Sequence, residues 1–95
     1  MQVSDAIRAI VREAKQSLAL REALLFGSRA RGDARPASDI DLALDHDSTA
    51  AEWAAFVNRM GDQAPTLLPV DLVDLRRVDA ALRERILREG VRVDG

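Results

Sequence analysis

No cysteine occurs among the 95 residues, which excludes disulfides, thiolate nucleophiles and cysteine-bound metals. Aromatic residues are almost as scarce. Phe26, Trp53 and Phe56 are the whole set, so the core has to be built mainly from Leu, Val, Ile and Ala. Lys15 is the only lysine among 14 basic residues. Arginine is the better fork for phosphate and carboxylate, although a compositional habit of the genome explains the bias as well. No apolar run approaches the ~20 residues of a membrane span. The opening Met1-Gln2-Val3-Ser4-Asp5 lacks the basic-then-apolar order of a secretion signal, so a cytoplasmic protein is expected. A net charge of −2 supplies no global field toward nucleic acid or an anionic membrane. A chain of this length makes one domain, residues 1–95, and buries only roughly 60–65% of its unfolded surface, leaving no room for a large pocket.

What is present is patterned. Val3, Ile7, Ile10, Val11, Ala14 and Leu18 recur at steps of three and four, which predicts an amphipathic helix with Ser4 as its N-cap. Ala23-Leu24-Leu25-Phe26 is a short apolar run stopped by Gly27-Ser28 and reads as a buried strand. Gly27 to Ser38 reads as a loop with one helical turn, in which Ser38 stiffens the approach to the next strand. Ile40, Leu42 and Leu44 then alternate with Asp39, Asp41 and Asp45, a strand with one apolar and one acidic face. Trp53, Phe56, Val57 and Met60 form the stripe of a second helix, capped by Ser48 or Thr49 and closed by Gly61 and Pro65. Val70 to Leu75 alternates again, with Asp71 and Val73 on one face and Leu72 and Asp74 on the other. Asp79 caps a last helix through Glu89, Gly90 stops it, and Val91 and Val93 can add a short strand. The order predicts an α+β fold, a small sheet covered by helices on one side.

Three features carry the chemistry: Gly27-Ser28 directly after a strand, Asp39-Ile40-Asp41 at the start of the next, and Asp71 in the third. Positions two apart on a strand share a face, so Asp39 and Asp41 sit side by side and must share a cation or a proton. Hard carboxylate oxygens suit magnesium, and a third carboxylate from Asp71 makes a site for two ions that bracket a phosphoryl displacement. Amides beside Gly27 and Ser28 can cradle phosphate oxygens, with Arg29 and Arg31 near enough to neutralise a triphosphate. The bland readings are a plain turn for Gly-Ser, a solvated face for Asp-x-Asp and loop punctuation for Arg31-Gly32. His46 reads as a solvated loop residue, Asp45 and Asp74 as surface carboxylates, and Trp53 with Phe56 as core. Arg76, Arg77, Arg83, Arg85 and Arg88 read as a solvated basic helix end or a docking face for an acidic partner.

The combination is more specific than its parts. Gly27-Ser28, ten residues, then Asp39-Ile40-Asp41 with Asp71 downstream resembles the signature of the DNA polymerase beta-like nucleotidyltransferase superfamily. Gly27-Ser28-Arg29-Ala30-Arg31-Gly32 followed by Ser38-Asp39-Ile40-Asp41-Leu42 is similar to the minimal nucleotidyltransferases, the antitoxins of HEPN-domain toxins, and the likeness runs on through Val70 to Leu75 and the last helix. The resemblance implies a three-stranded mixed sheet with flanking helices, binding of Mg²⁺ and ATP, and transfer of AMP to a tyrosine of a HEPN toxin. It implies that Asp39 and Asp41 bind metal, that Asp71 binds metal or acts as base, and that Gly27, Ser28, Arg29 and Arg31 hold the nucleotide. So small a chain leaves nothing to hold an acceptor, so another molecule is expected to present it in a hetero-oligomer. The alternatives are an antitoxin that works by complex formation alone, and one half of a split transferase acting on a small molecule.

Overall fold

The computed structural model describes residues 2–95, so Met1, cited above at the head of the chain, lies outside it. The elements run α1 (Val3–Ser17), β1 (Leu20–Phe26), α2 (Ser28–Arg31), β2 (Ile40–His46), α3 (Ala50–Gln63), β3 (Val70–Asp74), α4 (Ala80–Glu89) and β4 (Val91–Arg92). The fold is α+β with a mixed sheet in the order β3-β2-β1-β4. β2 runs parallel to β3 and antiparallel to β1, and β4 pairs antiparallel to β1 through Leu24 with Arg92 and Leu25 with Val91. The sheet therefore has four strands where the resemblance implied three. Gly90 ends α4 close against Leu24, and the chain leaving it pairs along the edge of β1.

Helices cover both faces of the sheet, not one as the element order suggested. The reason is the alternation of each strand. Ala23, Ile40, Leu42, Leu44 and, at its edge, Val70 and Leu72 point to one side, where they meet Ile7, Ile10, Val11 and Ala14 of α1 and Phe56 and Met60 of α3. Leu24, Phe26, Ala43 and Val73 point to the other side and meet Leu82 and Ile86 of α4. β2 is thus apolar on both faces through its middle: Ile40, Leu42, Ala43 and Leu44 are all fully buried. Each large aliphatic side chain withdrawn this way contributes about 1.5–3 kcal/mol to folding before entropy is counted.

The helix ends follow local chemistry. Thr49 caps α3 in a reciprocal box with Glu52, whose side chain accepts from the Thr49 amide at 2.8 Å. Asp79 caps α4 by accepting from the Leu82 amide at 2.8 Å, and Gly90 closes it. α1 departs from expectation: it begins at Val3 with Gln2 in the cap position and no side-chain bond, which leaves Ser4 inside the first turn. α3 also runs through Gly61 to Gln63 and stops where Pro65 bars Ala64 from helical backbone. β1 starts three residues earlier than the apolar run indicated, because Leu20 and Glu22 pair with His46 and Asp45 despite an irregular register there.

Two residues read as surface features are core. His46 is the last residue of β2, 1% exposed and stacked on Trp53 at 4.9 Å between ring centres. Asp74, 7% exposed, lies beside it, with Nε2 of His46 3.2 Å from Asp74 Oδ2. Both belong to the face covered by α3, because His46 continues the phase of Leu42 and Leu44, and Asp74 that of Leu72. Asp45 is only half-buried and reaches Arg21, as a surface carboxylate would.

Candidate active site

β1 ends in a turn that only glycine can make. Gly27 has φ 72° and ψ −154°, and Ser28 to Arg31 then wind into a single helical turn. The amides of Ala30 and Arg31 both donate back to the Gly27 carbonyl at 3.1 Å, and those of Gly32 and Asp33 to Ser28. The Ser28 and Arg29 amides are left at the open end of the turn. A second demand falls on Gly27 from tertiary packing. Phe26 pairs with Asp41, and a Cβ on Gly27 would overlap Oδ2 of the Asp41 carboxylate. The phosphate-cradle candidate and the carboxylate candidate are therefore in contact.

Asp41 is opposite Asp71 in the parallel register of β2 and β3, so the two side chains leave the same face on strands about 4.8 Å apart. That face is the one α4 partly covers. Asp39, exposed, immediately precedes β2 and lies outside the ladder. Asp74, the neighbouring acid, belongs to the opposite face with His46, so of the two it is Asp71 that shares a face with Asp41. Crowding shows in the electrostatics. Burial first, then the charges of Asp71 and Asp39, push the Asp41 carboxyl above its ordinary range, and Arg31 pulls the other way. Among the described residues no group of three or more His, Cys, Asp or Glu side chains converges tightly enough to enclose an ion. The donor set nevertheless fits magnesium, which takes one or two carboxylates plus substrate phosphates, and a cation would relieve the repulsion on Asp41.

The arginines have separate fates. Arg29 turns inward and donates to the carbonyls of Ser38 at 2.7 and 3.2 Å, Pro36 at 3.2 Å and Arg35 at 3.4 Å. It fastens the loop that delivers Asp39. Ser38 helps, its hydroxyl accepting from the Arg35 amide at 2.8 Å. Arg31 stays at the surface, 3.4 Å from Asp33.

A cavity of about 390 Å³ gathers the turn and two of the carboxylates, while Asp71 lines a separate groove along β3. Gly27, Ser28, Arg31, Asp39 and Asp41 line it, with Phe26, Ser38 and two residues of α4, Leu82 and Arg85, completing the wall. The sequence reads Arg85 as part of a solvated basic helix end or a docking face, and no local pattern marks it for the cavity, since its position depends on how α4 crosses the sheet. A larger groove of about 530 Å³ follows β3 past Leu67, Leu68 and Asp71. Apart from Thr66 and two acids, Asp62 and Asp71, its lining is apolar and holds no arginine or lysine, so it lacks the cations that a triphosphate requires.

A family described as Polymerase beta, Nucleotidyltransferase matches residues 8–93. No curated protein matches the chain with significance. Among solved structures, one assigned as a minimal nucleotidyltransferase shares 27% identity over 97% of both chains, with a TM-score of 0.66. A mutant of the toxin–antitoxin MntA–HpeT shares 25% identity over all of this chain and 74% of that one, at a TM-score of 0.67. A toxin–antitoxin structure with AMP-PNP superimposes at a TM-score of 0.71, with 23% identity over 96% of this chain and 72% of that one.

Proposed function

Because the chain belongs to the polymerase beta nucleotidyltransferase family, we propose that it transfers AMP from ATP, with Mg²⁺, to a tyrosine of a HEPN-domain toxin and thereby acts as its antitoxin. The observation that carries the reading is the in-register pair Asp41–Asp71 on the face where the Gly27-Ser28 turn closes against Asp41. The toxin–antitoxin neighbours and the AMP-PNP bound in one of them support the partner and the donor.

The roles follow from position. Gly27 brings backbone close to the phosphates, and the Ser28 amide and hydroxyl donate to their oxygens. Arg31 offsets triphosphate charge from the rim of the cavity. Arg29 serves indirectly, holding the loop on which Asp39 sits. Asp39, Asp41 and Asp71 would hold the magnesium, which when bound neutralises the triphosphate and polarises the α-phosphate. Asp71, exposed at the sheet edge, is the carboxylate placed to take the proton of an incoming hydroxyl. In-line attack of that hydroxyl on the α-phosphate forms the new ester and releases pyrophosphate. We take residues 1–95 to act as a single domain in the cytoplasm, in complex with the toxin.

The test is the intact mass of the partner after incubation with this protein, Mg²⁺ and ATP. A gain of one or more AMP units, lost in both Asp39→Ala and Asp41→Ala, is expected. A transfer that survives the double substitution would sink the enzymatic assignment. In a second reading the protein neutralises its partner by binding alone, with the carboxylate site unused. A double-alanine variant that still protects cells from the toxin would favour that reading.

A further inference from the structure

The cavity that holds Asp39 and Asp41 needs positive charge for a triphosphate, and the turn supplies less than its sequence offers. Arg29 is committed to the carbonyls of Arg35, Pro36 and Ser38, which leaves Arg31, its Nε beside Asp33, as the turn's cation on the wall. The remaining cation on the wall is Arg85, which comes from α4, more than fifty positions along the chain. Its Nε lies 3.3 Å from Glu89 one turn further on, and its two terminal amino groups have no protein partner among the described residues.

α4 holds Arg85 in place firmly. Ile86, 1% exposed, packs with Leu24, Ala43 and Leu75 beneath the helix. Gly90 then abuts Leu24, where a Cβ would come within 3.2 Å of the Leu24 Cβ, and β4 ties the helix end to β1. Leu82 and Arg85 are three apart and so share a helix face, the face that both residues turn to the cavity. Its Phe26 and Leu82 side is apolar, and Arg85 adds to that side a fork suited to phosphate oxygens.

We infer that Arg85 is a phosphate-contacting residue of the nucleotide site, binding the β- and γ-phosphates across the cavity from Gly27 and Ser28. The inference rests on the nucleotidyl-transfer reading and adds α4 to its substrate machinery. Arg85 then recognises the triphosphate and leaves a nucleoside monophosphate, which lacks those two phosphates, largely untouched.

Calorimetric titration of the full chain with AMP-PNP and with AMP, in Mg²⁺, tests it. Arg85→Ala should weaken AMP-PNP roughly tenfold or more, the size of a lost hydrogen bond to a charged group, and AMP far less. Arg85→Lys should fall between, keeping the charge without the fork. Arg88→Ala, one turn along α4 and outside the cavity lining, should bind as the unsubstituted protein does. The side chain of Arg85 is 58% exposed, so the alanine variant should keep its melting temperature. Unchanged AMP-PNP affinity in Arg85→Ala, or equal losses for both ligands, would overturn the inference alone. Failure of the unsubstituted protein to bind AMP-PNP would overturn the nucleotide reading itself, and this inference with it.

Discussion

Gly27 lies against the carboxylate of Asp41 so closely that a methyl group on its Cα would overlap Oδ2 and stand 3.2 Å from Cγ. Two independent demands thus meet at one position, the other being a φ of 72° with ψ −154°, a region that essentially only glycine occupies. Gly27→Ala should cost about 1–3 kcal/mol from backbone strain and should also displace Asp41. Denaturant unfolding reads the first effect and AMP transfer the second. An alanine variant with unaltered stability would show that the close approach is relaxed in solution.

Asp41 should make the metal-free protein less stable than it could be. Its carboxyl is raised above the ordinary 3.8, so the native state holds the proton more tightly than the unfolded chain. Stability is then fullest below 3.8 and declines as pH rises through the interval up to the raised value. In EDTA at pH 7, Asp41→Asn should therefore melt at a higher temperature than the unsubstituted protein. The gain should shrink as pH falls toward 3.8, and Mg²⁺ should raise the melting temperature of the unsubstituted protein more than that of the variant. Thermal melts at several pH values, with and without Mg²⁺, measure all three.

Arg29 meets three carbonyls of one loop through Nη2, and its Nε adds a second bond to Ser38 that a lysine has no group to replace. Arg29→Lys should cost about 1 kcal/mol in stability. It should also quicken proteolytic cleavage between residues 32 and 39, and lower the transfer rate because Asp39 is held less firmly. If Arg29 instead contacts nucleotide directly, titration with AMP-PNP will show a loss of affinity without faster cleavage.

His46 and Asp74 form a buried pair on the face away from the proposed chemistry. Nδ1 of His46 accepts from the Ser48 amide at 3.1 Å, which directs Nε2 toward Asp74 Oδ2. The two atoms make no hydrogen bond, so Asp74 Oδ2 depends on charge, from Arg77 at 3.4 Å, as well as on the ring. His46→Ala should cost about 2–3 kcal/mol through lost stacking on Trp53 and a less compensated carboxylate. The variant pair His46→Leu and Asp74→Leu together should cost less than the sum of the two singly. A double-mutant cycle by chemical denaturation measures the coupling. Transfer per folded molecule should not change in any of these variants.

Local pattern was enough for much of this molecule. The helix stripes, the three main strands and the caps at Thr49 and Asp79 are properties of residues within four positions of one another, where side-chain periodicity and hydrogen bonding act directly. So are Gly27-Ser28 at a strand end and the spacing of Asp39 and Asp41. Ends set by weaker signals were less legible: Ser4 looked like a cap, Gly61 looked like a stop, and the polar start of β1 hid its pairing with Asp45 and His46.

Only tertiary structure decided the rest. The placing of α4 on the face opposite α1 and α3 made Arg85 a neighbour of Asp41, and parallel pairing of β2 with β3 set Asp71 against Asp41. The same pairing buried His46 with Asp74, two residues that read singly as solvated. Periodicity reports which face of its own element a residue occupies. It carries nothing about which element will cover that face, because that choice is made by apolar surfaces thirty or more residues apart competing to leave water.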